Sequence, residues 1–269
     1  MRVACVMMQR NEINALAPWL RYHGHLFGPS NLYVIDHGSE DSGVVATLAN
    51  AEAAGVHILR LPASADYRTK GDLVSQVLQT LDGSGAYDLL LPLDCDEFLV
   101  MRAPDERFTA KKSALLDYLA TLRGVPAVLE VKENLINILG NPGRFWVLPY
   151  QKVLFTAGHA GRVDHGSHQD LSGHPWPRQP TRLAYLHFHH KPYRLWVEAA
   201  QEKLRPYVDV DDKAALAAFR GTGWHLVRHL LGGEPGYNGM MNDSPGAVSV
   251  GGLGESFASL NIDPLFTER

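Results

Sequence analysis

Asp94, Asp96 and Glu97 arrive together at the end of the apolar run Leu89-Leu90-Leu91-Pro92-Leu93. Five apolar residues delivering three acids read as a buried strand that ends at a polar crevice. In an extended segment Asp94 and Asp96 share a face, because strand side chains alternate at period two. Two ionised carboxylates that close repel, and each is costly to desolvate, so a positive charge is wanted between them. A hard divalent cation with oxygen ligands fits, and Mg²⁺ or Mn²⁺ held this way usually brings a phosphate. The plain alternative is a helix cap or a solvated loop, since acids are common after strands. The surrounding residues must decide.

The elements that position these acids are legible from periodicity. Residues 3–8, 31–35, 56–61 and 89–93 read as strands. Between them, helices are predicted up to about residue 27, from the caps Ser39 and Asp41 to a stop at Gly55, and over 72–81. Strands alternating with helices predict an α/β fold with a doubly wound, mainly parallel sheet and helices on both faces. Ligands of such sheets sit beyond the carboxyl ends of the strands. Here Gln9 to Glu12, Asp36, Asp66 to Lys70 and Asp94 to Glu97 would line one crevice. After Glu97 the pattern loosens. A helix is predicted over 113–122, strands over 127–131, 145–148, 153–155 and 183–188, and a helix over 193–204. An irregular Gly/Pro/His loop covers 158–180, and a helical stretch over 208–231 is broken at Gly221-Thr222-Gly223. From Gly232 the composition predicts an irregular, partly mobile extension. One domain is expected, with a 1–100 half, a 101–231 half and a 232–269 tail.

The 269 residues, 45% hydrophobic and 20% charged, suit a globular protein with a real core. A net charge of -4 argues against nucleic-acid or anionic membrane partners. No run reaches the ~18 apolar residues of a membrane span, and Met1-Arg2-Val3 leads into a strand rather than a signal peptide. Cys5 and Cys95 read as buried free thiols of a reducing compartment, so a cytoplasmic location is expected.

Four motifs follow in order: Arg10-Asn11-Glu12, Trp19-Leu20-Arg21-Tyr22-His23, Asp36-His37-Gly38-Ser39-Glu40-Asp41 and Leu93-Asp94-Cys95-Asp96-Glu97-Phe98-Leu99. The succession resembles the glycosyltransferase family 2-like group of GT-A enzymes, over about residues 3–100. A second block, from Gln151-Lys152-Val153 through Gly166-Ser167-His168 to His187-Phe188-His189-His190-Lys191, resembles that group's C-terminal segment, with Pro192 where Ser is frequent. The resemblance implies a GT-A-type fold and Mn²⁺ or Mg²⁺ as cofactor. It also implies a nucleotide-sugar donor, UDP by analogy, a carbohydrate or other hydroxyl acceptor, and inversion.

On that reading Asp96 is the best metal ligand, and Asp94 touches the metal or the ribose. Glu97 supports them, or faces the core and pairs with a basic residue. Arg10, Asn11 and Glu12 belong to the donor side. Arg10 meets base or phosphate, or pairs with Glu12. Asp36 accepts from the nucleoside, or belongs to a capping turn around Ser39. Arg68 and Lys70 reach the diphosphate, or form a solvated basic turn. Seven of the thirteen histidines lie between His159 and His190, a density that favours a metal or substrate contact. His187 is the candidate third metal ligand and His168 the second choice. Asp170, in the His-rich loop, is the candidate general base, with Asp164, Glu130 and Glu133 competing. Trp146, Trp176 and Trp196 are candidates for sugar stacking or for burial. A haloacid-dehalogenase-like phosphohydrolase would instead use Asp94 as nucleophile, Asp96 as acid/base and Asp211-Asp212 downstream. A non-catalytic metal-binding module would use the histidines alone.

Overall fold

The computed structural model describes residues 1–221, 223–239 and 246–266. Strands β1 (Val3–Gln9), β2 (Leu32–Asp36), β3 (His57–Arg60) and β4 (Leu89–Pro92) lie parallel in the order β4-β1-β2-β3. β1 is buried along its whole length, which is why its sequence is apolar without alternation. Its two faces serve different helices. Val3, Cys5 and Met7 pack with residues of α1 (Leu16–Phe27) and α2 (Ser42–Ala53), and Ala4, Val6 and Met8 with α3 (Lys70–Gly83). Asp41 caps α2 by accepting from the Val44 backbone N–H at 2.9 Å. The predicted helices on both faces are present.

Beyond β4 the chain weaves between two sheets. It forms β5 (Glu97–Arg102), β6 (Phe108–Thr109), α4 (Lys112–Thr121), β7 (Val128–Val131), β8 (Glu133–Asn137) and β9 (Arg144–Leu148). It continues through β10 (Lys152–Thr156), β11 (Arg178–Pro180) and β12 (Leu183–His187). β10 enters the first sheet antiparallel between β4 and β7, and β11 adds an edge, making seven strands in the order β11-β7-β10-β4-β1-β2-β3. The others close on themselves in the order β12-β5-β6-β13-β9-β8, where β13 is Val248–Gly251. Lys132 alone separates β7 from β8, so the chain changes sheets across one residue.

Helices α5 (Tyr193–Leu204), α6 (Lys213–Ala218) and α7 (Trp224–Gly239) gather around Trp196, Leu204, Leu226 and Tyr237 as a third apolar cluster. α7 kinks at Gly233, which takes φ 66° just before Pro235. The irregular extension expected from residue 232 is corrected here. α7 runs to Gly239, β13 joins β6 and β9, and α8 (Leu253–Ser259) packs Leu253 and Phe257 into the main core. Val250 and Phe257 are buried, and that gain orders a Gly-rich segment whose local propensity is weak. Residues 240–245 and 267–269 of that extension, and Thr222 of the expected helix break, lie outside the described residues.

Candidate active site

The carboxyl ends of the parallel strands are stitched into one crevice wall. The His37 N–H donates to the Gln9 carbonyl at 2.9 Å and the Leu61 N–H to the Asp36 carbonyl at 2.8 Å. Asp36 Oδ1 accepts from Gln9 Nε2 at 2.7 Å and from the Ser39 hydroxyl at 2.6 Å. Asn11, at a φ of 51° that asparagine tolerates, accepts from the backbone of Glu40 and Asp41 at 3.0 and 3.1 Å. Asp36 and Asn11 therefore build the Ser39 turn, the alternative weighed for Asp36.

The acids that follow β4 do not stay extended. The Glu97 N–H closes onto the Asp94 carbonyl at 3.0 Å, and the Asp94 N–H donates to Glu97 Oε2 at 2.7 Å. This turn sends Asp94 and Asp96 to different partners instead of one shared face. Asp94 accepts from Lys70 Nζ at 2.5 Å and from Lys152 Nζ at 3.2 Å. Lys152 also holds Glu97 Oε2 at 2.9 Å and the Gly166 carbonyl at 2.7 Å. Burial alone would raise the Asp94 carboxyl, but the Lys152 and Lys70 ammoniums overcome it and hold Asp94 well below the usual carboxylate range. Glu97 is deeper, and burial pushes its carboxyl up against the pull of Lys152.

Asp96 meets histidines instead. β12 runs antiparallel to β5 with His187 opposite Glu97, and the Phe188 N–H donates to the Asp96 carbonyl at 2.8 Å. His187 Nε2 lies 3.5 Å from Asp96 Oδ2, and ligand atoms of Asp96, His187 and His189 all fall within 4.8 Å of one another. Burial opposes ionisation of Asp96, yet His187 beside it, with Lys191 and His189, keeps it well below the usual range. His187 is raised in return, because Asp96 outweighs its own desolvation. Burial, with His187 and His190 nearby, pushes His189 well down, which favours the neutral imidazole a metal needs.

Two imidazoles and a carboxylate form a donor set that suits Mn²⁺ or another first-row dication. The support around His187 fits as well. Asn134 Nδ2 lies 3.2 Å from His187 Nδ1, while Asn134 Oδ1 is buried with no partner among the described residues. Turning that amide over lets Oδ1 accept from Nδ1–H and leaves the Nε2 lone pair for a metal. Asp94 is not part of this group.

The remaining candidates divide. Arg10 makes no hydrogen bond or ion pair among the described residues, and its Nε is buried without a partner. Glu12 pairs with Lys191 at 3.1 Å rather than with Arg10. Arg68 is exposed and grips Asp66 at 2.7 Å, whereas Lys70 is buried against Asp94, so these two do not act together. Asp170 bridges to Val163 and accepts from the Ser172 N–H at 3.0 Å through one oxygen. Of its competitors, Glu130 is paired with Lys132 at 2.7 Å and Glu133 with Arg102, while Asp164 accepts from the Gln169 N–H at 2.7 Å.

The histidine cluster disperses apart from His187, His189 and His190, whose ring lies 5.6 Å from that of His189. His168 bonds the Gln151 carbonyl, His190 the Asn137 carbonyl, and His159 and His174 lie against Trp176. Trp146 meets His190 edge-on, and Trp196 is buried in the helical cluster. Asp212, wanted by the phosphohydrolase alternative, is spent capping α6 at Ala214. The loop over 158–180 is anchored despite its glycines. Asp82 accepts from Gly158 and Ala160, and Ser75 Oγ from the Val163 N–H.

Lys152, Lys191 and His189 were not singled out from sequence. His189 stands two residues from His187, a spacing that pointed to a shared side. A lysine opening the apolar run Lys152-Val153-Leu154-Phe155 was itself a sign of a buried charge.

No protein-family model and no curated protein matches the chain. Among solved structures it is similar to S. aureus TarS 1-349 in complex with UDP-GlcNAc, at 15% identity over 53% of this chain and TM-score 0.34. It is also similar to glucosyl-3-phosphoglycerate synthase from Mycobacterium tuberculosis in complex with Mn²⁺, UDP and phosphoglyceric acid (16% identity, 51% of this chain, 43% of that one, TM-score 0.32). A cytidylyltransferase from Leptospira borgpetersenii is similar at 17% identity, 49% of this chain, 54% of that one and TM-score 0.30. The chain covers 36% of that TarS fragment. Likeness this loose decides neither fold nor function. No helix among the described residues is long and apolar enough to cross a membrane.

Proposed function

We propose that this protein is a metal-dependent glycosyltransferase that moves a sugar from a UDP-linked donor to a hydroxyl acceptor with inversion. The observation that carries the reading is the convergence of Asp96, His187 and His189 at the strand-end crevice. Such sheets bind their ligands at that edge. A dication held by these three would supply Lewis-acid stabilisation of the charge left on the departing diphosphate.

The chain's own residues do the rest. Arg10, without a counter-ion, offers its guanidinium to a phosphate or the base. Asp36, fixed in the Ser39 turn, presents its second oxygen to the nucleoside, and Asn11 and Glu12 shape that wall. Asp94, neutralised by Lys70 and Lys152, is left to accept from a donor hydroxyl; Arg68 reaches an anion only by leaving Asp66. In the transfer, the acceptor oxygen forms a bond to the anomeric carbon as the bond to the diphosphate oxygen breaks. The acceptor proton passes to Asp170, whose second carboxylate oxygen makes no hydrogen bond among the described residues.

The test is thermal stabilisation by UDP, GDP, CMP and dTDP, each with Mn²⁺ and with chelator. UDP with Mn²⁺ is expected to raise Tm most, and chelation to remove most of the gain. Equal stabilisation with and without metal would overturn metal dependence. Asp170→Asn should cut transfer strongly while leaving UDP binding unchanged; full activity would move the base to Asp164.

A further inference from the structure

Lys152 is 2% exposed, yet its ammonium has three acceptors for its three protons: Asp94 Oδ2, Glu97 Oε2 and the Gly166 carbonyl. Asp94 and Glu97 are the two ends of the turn that carries Asp96. Gly166 belongs to the His-rich loop, and the Ser167 carbonyl next to it accepts from the Val153 N–H at 2.9 Å, so loop and strand are tied twice at the same level. One buried cation therefore joins three separate segments: β10, the acid turn and the loop. Asp96 lies between the two pinned ends, with its backbone held on its far side by Phe188.

We propose that Lys152 is a positioning residue that fixes the acid turn against the His-rich loop and so sets where Asp96 meets His187 and His189. The proposal rests on the reading of those three side chains as a metal site. Its sign is distinctive. A cation beside carboxylates repels a dication, so on electrostatics alone removing Lys152 would tighten Mn²⁺ binding. If Lys152 instead positions the turn, removing it weakens Mn²⁺ binding, because ligand geometry is lost.

Mn²⁺ affinity in the absence of nucleotide is measured for wild type, Lys152→Met, Lys152→Arg and the double variant Lys152→Met/Glu97→Gln. The double variant removes a buried pair together and leaves Asp94 with Lys70, so it supplies a folded charge-deleted protein if Lys152→Met alone does not fold. Hydrogen exchange of the 164–169 amides is followed in parallel. The expected result is at least 10-fold weaker Mn²⁺ binding and at least 10-fold faster loop exchange in the folded charge-deleted variants, with partial recovery in Lys152→Arg. Unchanged or tighter Mn²⁺ binding in a folded variant overturns the proposal. Should wild type bind no Mn²⁺, or bind it equally after His187→Ala, the metal reading fails separately. Loop exchange then judges Lys152 by itself, and exchange as slow as in wild type overturns the positioning role.

Discussion

At the scale of single residues, Asp94 and Asp96 are two positions apart, both anionic, and held by different partners. Asp94 is the counter-charge of two buried lysines, and Asp96 the anionic member of a histidine group. Their substitutions should separate stability from metal binding. Asp94→Asn leaves Lys70 without its ion-pair partner and Lys152 with Glu97 as its remaining counter-charge. Breaking a buried pair from one side costs about 3–5 kcal/mol, reduced here to about 2 kcal/mol because the Asp94 side chain is 27% exposed. Asp96→Asn takes the carboxylate from His187 at a side chain 20% exposed, but His187 can shed its proton where a lysine does not. The cost should therefore be smaller, about 1 kcal/mol, while Mn²⁺ binding is abolished. Urea melts and Mn²⁺ titrations of both variants check this. An Asp96→Asn protein that binds Mn²⁺ like wild type would remove Asp96 as a ligand.

At the scale of elements, the join between α3 and the His-rich loop decides the shape of the crevice. A Cβ at Gly71 would lie 2.8 Å from the Val163 carbonyl oxygen and 3.1 Å from the Asp164 carbonyl carbon, both backbone atoms that cannot swing aside. Glycine is in the first turn of the helix because the loop comes that close. Alanine there gains up to about 1 kcal/mol of helix propensity, and overpacking costs about 1–3 kcal/mol. Gly71→Ala is expected to lose stability overall and to speed hydrogen exchange across 163–169. A variant more stable than wild type would show that the loop yields easily.

At the scale of the whole molecule, α1 bolts the two sheets together through adjacent residues. Tyr22 OH donates to the Leu99 carbonyl at 2.7 Å, and His23 Nε2 accepts from the Leu99 N–H at 3.4 Å while Nδ1 faces the Trp19 carbonyl at 3.1 Å. That pattern uses the neutral imidazole. A second ring proton would face a backbone N–H, and burial holds the His23 pKa down at about 3. The unfolded chain, with an ordinary histidine near 6.5, then binds a proton that the folded protein refuses. His23 therefore contributes stability above pH 6.5 that is lost as pH falls toward 3. His23→Gln should flatten this part of the stability–pH curve in chemical melts between pH 7.5 and 4.5. An unchanged slope would place the acid sensitivity elsewhere.

The parallel half of the sheet was legible because its signal is local. β1, β2 and β4 are short apolar runs, α2 carries its own cap at Asp41, and polar residues stand at each strand end. Asp96 and His187 could be named for the same reason, since residue type and strand-end position are written along the chain. What the sequence left open depended on contacts between distant segments. The second sheet is built from short strands whose partners lie far apart, as β13 pairs with β6 and β9. No period in residues 232–266 announces that pairing. Nor does the spacing of Asp94 and Asp96 reveal that a turn divides them, because Lys70 and Lys152 arrive from 24 and 58 residues away. Residue types and local periodicity settle which groups are available at the crevice. Long-range packing settles which of them meet, because the cost of burying each charge is met only where the fold supplies its counter-charge.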